Sequence, residues 1–217
     1  ETLDLATKGT PTNNNLPLRA AEFSTLVEAL DYAAQGVTGF NFYNARGQLY
    51  CALPYSDLRA EAVALAQRLL GTGVQRGDRL ALIAETGPDF VRFFYACQYA
   101  GLVPVPLPAA VHLGGRKAFV NQIRSMLESS TPALAMAPSD FIDMLREAAD
   151  GLDIKMVAEP DEFAALPVSD EALRLPVASD LAYLQYTSGS TRFPRGVMIT
   201  QEAVMANLSG ILRDVMA

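Results

Sequence analysis

The chain has 217 residues, 50% hydrophobic and 19% charged, a balance that supports one large core or two small ones and excludes a disordered polymer. A formal net charge of -7 and an isoelectric point near 4.7 disfavour nucleic acid as a partner, since that needs a basic face. No apolar run approaches the roughly 20 residues of a membrane-spanning helix, and the polar opening Glu1 to Asn15 lacks the apolar stretch of a secretory signal.

The first predicted element is a helix from Phe23 to Gly36, opened by Ser24. Phe40 to Tyr43 and Gln48 to Leu53 bracket Arg46-Gly47 and predict a hairpin. A second helix takes Ser56 as its N-cap, sets Leu58, Ala62, Leu65 and Leu69 on one face, and stops at Gly71. Gly71, Gly73 and Gly77 follow a helix rather than a strand, so they do not form a dinucleotide loop. Leu80 to Ala84 predicts a short buried strand. Pro88 then opens a third helix, with Phe90, Phe93, Phe94 and Cys97 on its core face up to Gly101. Leu102 to Pro106 reads as a strand whose prolines confine it to an edge or end it early.

A helix from Lys117 to Ser129, a strand from Ala133 to Ala137, a helix from Ser139 to Ala149 and a strand from Lys155 to Ala158 follow. Repeated strand–helix–strand units predict an α/β fold, a doubly wound and mainly parallel sheet with helices on both faces. Glu159 to Asp180 loses periodicity and carries Pro160, Pro167 and Pro176. The final helix starts at Gln201, capped by Thr200, with Val204, Leu208, Ile211 and Val215 on one face. The expected organisation is a flexible leader over 1–20, an αβ subdomain over 21–158, a connector over 159–180 and a strand–loop–strand–helix segment over 181–217.

Cys51 and Cys97 stand far apart and in no C-x-x-C pattern, as reduced, buried cysteines of a cytoplasmic protein do. His112 has no second histidine nearby, so no metal site is expected on this chain.

The chemistry concentrates in one stretch. Between the apolar runs Leu181 to Leu184 and Val197 to Ile199 lie Thr187, Ser188, Gly189, Ser190 and Thr191, then Arg192, Phe193, Pro194, Arg195 and Gly196. That order predicts strand, tight loop, strand. Hydroxyl donors, backbone N–H groups beside small side chains and fixed positive charge are what a polyphosphate needs. Gly189 and Gly196 permit close approach or a turn with positive φ. The stretch lacks the Gly-Lys-Ser/Thr ending of the common P-loop.

This string resembles the Thr-Ser-Gly-Ser/Thr-Thr…Pro-Lys-Gly-Val signature of the adenylate-forming superfamily, and Leu184 to Arg192 is most similar to its fatty acyl-AMP ligase branch. The likeness runs through almost the whole chain from Phe23, including Tyr55-Ser56-Asp57-Leu58, Gly77 to Leu82, Phe93 to Pro106 and Gly114-Gly115-Arg116. Two positions depart from the pattern. Arg195 replaces the usual lysine, keeping charge but not geometry, and Gln201 stands where a histidine is common.

The resemblance implies attack of a fatty acid carboxylate on the α-phosphorus of ATP, with release of pyrophosphate and transfer of the acyl group to an acyl carrier protein or a polyketide or nonribosomal synthase. It assigns Thr187, Ser188, Ser190 and Thr191 to phosphate hydrogen bonding, Gly189 and Gly196 to close backbone approach, and Arg195 to the charge of the leaving pyrophosphate. Arg192 is equally well a solvated side chain. Only the amino-terminal portion of such an enzyme is present by this reading, so the ligand of Mg²⁺ and the adenine and ribose contacts are expected outside these residues. Alternatives are an acyl-CoA synthetase, a nucleotide-phosphate-binding domain that does not adenylate, and a non-catalytic interaction domain.

Overall fold

The computed structural model describes residues 15–20, 22–110, 115–187 and 195–215. Its elements in chain order are α1 (Leu26–Ala33), β1 (Gly39–Tyr43), β2 (Leu49–Pro54), α2 (Tyr55–Leu70), β3 (Arg79–Ile83), α3 (Pro88–Ala100), β4 (Val103–Leu107), α4 (Gly115–Ser130), β5 (Leu134–Met136), α5 (Ser139–Ala149), β6 (Met156–Ala158), α6 (Pro160–Ala164), β7 (Leu181–Thr187), β8 (Arg195–Thr200) and α7 (Gln201–Val215). The central sheet is parallel, in the order β4-β3-β5-β6, and β1-β2 and β7-β8 are separate antiparallel pairs. Among the described residues no helix is long and apolar enough to cross a membrane.

The predicted double winding is visible in how successive strand residues divide between two cores. Leu80, Leu82, Leu134 and Met136 pack with α2 and α3, while Ala81, Ile83 and Ala135 pack with α4 and α5. Side chains alternate across a strand, so a strand buried on both faces reads as a continuous apolar run. β4 takes the sheet edge, as its prolines predict. Val103 donates its N–H to the Asp78 carbonyl at 2.9 Å, which turns alternate residues Pro104 and Pro106 toward the outer side, where no N–H is required. β7 packs along that outer side without joining the ladder.

Several boundaries shift from the sequence expectation. Thr25, not Ser24, caps α1: its hydroxyl accepts the Glu28 N–H at 3.2 Å, and the Glu28 carboxylate accepts the Ser24 N–H at 2.8 Å. α2 begins at Tyr55, which leaves Ser56 inside the first turn, its hydroxyl directed at Asp57 rather than at a free backbone N–H. Gly71 keeps a right-handed backbone (φ −62°), because the chain continues through one tighter turn and the left-handed residue is Gly73 (φ 75°). The 159–180 stretch holds a one-turn helix, α6, started by Pro160 and a capping box between Glu159 and Glu162. On α7, Ile211 is 52% exposed and Met205 is buried in its stead, with Val204 and Leu208 beside it. Both thiols are free, Cys97 buried and Cys51 half-buried. Leader residues 1–14, His112 and Gly114 lie outside the described residues.

Candidate functional site

The β7-β8 hairpin forms because two apolar runs flank a polar stretch, and its register brings the ends of that stretch together. Thr187 pairs with Arg195 as the last rung, and Tyr186 pairs with Gly196 just behind it. Ser188, Gly189, Ser190, Thr191, Arg192, Phe193 and Pro194 lie outside the described residues. Of the predicted site residues, the structure therefore juxtaposes Thr187, Arg195 and Gly196.

Thr187 and Arg195 are both exposed. Among the described residues Arg195 has no ion-pair partner, whereas Arg59, Arg76 and Arg92 each hold a carboxylate. A guanidinium held at the mouth of a hydroxyl-rich stretch without a competing carboxylate has its forked donors free for a polyanion. Gly196 does not use the conformational freedom expected of it: it lies in the strand, outside the positive-φ glycines.

Two anchors that the sequence reading missed hold this hairpin. At its tip, the Tyr186 hydroxyl donates to the Met126 carbonyl of α4 at 3.0 Å and also contacts the Ser129 hydroxyl. At its base, an amide relay crosses the interior. Gln201, fully buried, accepts the Leu26 N–H on Oε1 at 3.0 Å and donates from Nε2 to Gln98 Oε1 at 2.6 Å; Gln98 Nε2 then donates to the Ala182 carbonyl at 2.7 Å. A bulge between Leu181 and Tyr183 disturbs the ladder at Ala182, the residue whose carbonyl Gln98 takes up. The signal for Gln98 was its place within the buried run Ala96 to Ala100, where an amide must find partners. α3 and α4 lie on opposite faces of the central sheet, so the hairpin grips both layers across the β4 edge.

Among the described residues no three His, Cys, Asp or Glu side chains converge to hold a metal ion.

Residues 37–216 match the family described as AMP-binding enzyme. A Caulobacter vibrioides protein provisionally named an acyl-CoA synthetase is 46% identical over 209 residues, covering 94% of this chain and 36% of its own length. A long-chain-fatty-acid–AMP ligase of Mycobacterium marinum is 35% identical over 164 residues, covering 72% of this chain and 26% of its own. A structure solved in a study of fatty acyl-adenylate ligases from E. coli and L. pneumophila superposes with a TM-score of 0.87 at 48% identity, over 91% of this chain and 36% of that one. The chain spans 26% to 36% of the length of these relatives.

Proposed function

The chain belongs to the AMP-binding enzyme family, and on that premise we propose that it carries the phosphate-gripping part of an ATP-dependent ligase that activates a fatty acid as its acyl-adenylate. The observation that carries this reading is the rung Thr187–Arg195, which closes a stretch of hydroxyl side chains and presents a guanidinium free of carboxylate partners among the described residues.

In this reaction a carboxylate oxygen forms a bond to the α-phosphorus, and the bond from that phosphorus to the bridging oxygen of pyrophosphate breaks. No general base is needed, because the acid is already ionised at neutral pH. Charge grows on the departing pyrophosphate, so the protein's task is positioning and electrostatic stabilisation. Thr187, with Ser188, Ser190 and Thr191 of the loop sequence, donates hydroxyl hydrogen bonds; Arg195 offsets charge, and Gly189 and Gly196 leave room for backbone approach. Mg²⁺ would supply further charge neutralisation when bound, and we assign its ligands and the adenine and ribose contacts to the rest of the protein. Residues 21–158 serve as scaffold, 159–180 as connector and 181–217 as the phosphate segment. Transfer of the acyl group to a carrier protein, in the cytoplasm, completes the reading.

Fatty-acid-dependent exchange of pyrophosphate into ATP, measured on the full protein containing this chain, is the test. Exchange without consumption of coenzyme A, with acyl-adenylate accumulating, supports it. Formation of acyl-CoA would favour the second reading, an acyl-CoA synthetase, to which the name of the 46% identical relative points. Nucleotide binding without exchange would mean a non-adenylating domain.

A further inference from the structure

We propose that Gln98 and Gln201 are positioning residues for the phosphate segment: their amide relay sets where both strands of the hairpin stand relative to α1 and α3. The proposal rests on the adenylation reading for its catalytic consequence, but not for its structural one.

The relay has a fixed direction. At one end the Leu26 N–H can only donate, and at the other the Ala182 carbonyl can only accept. Both glutamines must therefore present oxygen toward Leu26 and nitrogen toward Ala182, and one orientation of each amide satisfies all three bonds. Both side chains are essentially inaccessible to water, at 1% and 0% exposure, so none of these groups has water as a substitute partner.

Its placement ties it to the loop. Ala182 is the second residue of β7, and Gln201 directly follows Thr200, the last residue of β8. The Gln201 N–H also donates to the Asp180 carbonyl at 2.9 Å, just before β7 begins. The backbone of Gln201 thus ties the end of β8 to the start of β7, and its side chain joins that base to α1 and, through Gln98, to α3, at the opposite end of the strands from Thr187 and Arg195. Because β4 offers β7 no ladder, the base of the hairpin depends on this relay for its polar contact with α3. An error at the base is carried along both strands to the guanidinium, and misplacement by about 1 Å costs on the order of a hundredfold in rate.

A change of donor pattern without change of size separates this role from bulk packing. Gln201→Glu has no N–H for Gln98, and Gln98→Glu has none for Ala182. Gln201→His retains one acceptor and one donor. The full protein is compared in these forms by amide hydrogen exchange and by pyrophosphate exchange with Mg·ATP varied. For both Glu variants, exchange in 181–187 and 195–200 should quicken by about tenfold or more, with 80–83 and 134–136 unchanged. Turnover should fall by about tenfold or more at saturating Mg·ATP, beyond any loss of folded protein, and Gln201→His should stay within about threefold of the parent. Should the carboxylate prevent folding, Gln201→Met gives the same readouts without charge. Unchanged hairpin exchange, activity lost only in proportion to folded protein, or a His variant as poor as Glu would each overturn the proposal. If the unsubstituted protein itself shows no pyrophosphate exchange, the adenylation reading fails, while the hairpin measurement still decides the relay.

Discussion

The ring of Tyr186 lies across Gly196, its partner on the neighbouring strand, so that a methyl group on Gly196 would meet the ring at 3.5 Å. That is ordinary van der Waals contact, and the backbone there lies outside the left-handed region. Neither sterics nor φ demands glycine at this position, and the proposed phosphate site gives it a use in admitting the ligand to the backbone. Gly196→Ala should therefore leave stability within about 0.5 kcal/mol of the parent while raising the KM for Mg·ATP. Urea unfolding alongside steady-state kinetics checks this; a marked loss of stability with kinetics intact would mean that the glycine serves the hairpin instead.

Arg195 should matter through its charge. A hydrogen bond to a charged group contributes about 1.5–3 kcal/mol, so Arg195→Ala should slow adenylation by roughly ten- to a hundredfold. Arg195→Lys keeps the cation but loses the fork, and should retain much of the rate. An unaltered exchange rate in the alanine variant would make Arg195 a solvated surface charge.

Gly39 is needed for a different reason. A Cβ there would sit 2.3 Å from the Leu53 carbonyl oxygen and 2.5 Å from the Pro54 Cα, both backbone atoms of the paired strand. Gly39→Ala must force β1 and β2 apart and should destabilise by about 3 kcal/mol. Gly47, in open space at the hairpin turn with φ 73°, should cost only about 1 kcal/mol as alanine. Denaturant titration of the two variants gives the comparison.

Stability should also fall at high pH in a defined window. Burial pushes the Tyr95 hydroxyl up to about 12, with the neighbouring Tyr55 adding to the effect. Burial likewise raises Tyr99, whose hydroxyl donates to Asp31 at 2.6 Å, and the Cys97 thiol. A folded-state value above the unfolded one means that the native state holds its proton longer. The Tyr95 contribution is complete below pH 10, the ordinary tyrosine value, and is lost as pH rises from about 10 to 12, while that of Cys97 begins to fall from about pH 9. Unfolding followed by circular dichroism beside tyrosinate absorbance tests it; retention of full stability beyond pH 12 would contradict the assignment.

The sequence revealed most of the scaffold because its signals are local. Pro88 at the first position of α3, the apolar run of β3 and the prolines of β4 each name their own setting. The hairpin arms were legible for the same reason, since apolar runs stop where the hydroxyl cluster starts. What eluded sequence reading depends on distant partners. Gln98 and Ala182 lie 84 positions apart, and Gln98 and Gln201 lie 103 apart, so nothing near either glutamine shows that its amide is satisfied from across the chain. Tyr186 reads as one more apolar strand residue until Met126 of α4, 60 positions away, supplies its acceptor. α6 was missed because five residues are too few to show a period, although Glu159-Pro160 with Glu162 carries its start signal.

The prolines of β4 have a consequence for how the chain is made. During synthesis β3 and β4 can pair long before β7 exists, and at roughly 5–20 residues per second the outer side of β4 waits several seconds for its cover. A bare strand edge is a template on which a second nascent chain can add itself. With Pro104 and Pro106 turned outward, that edge offers carbonyls but lacks the donors to complete a ladder. The residues that keep β7 from fusing to the finished sheet thus also keep strangers from fusing to the unfinished one.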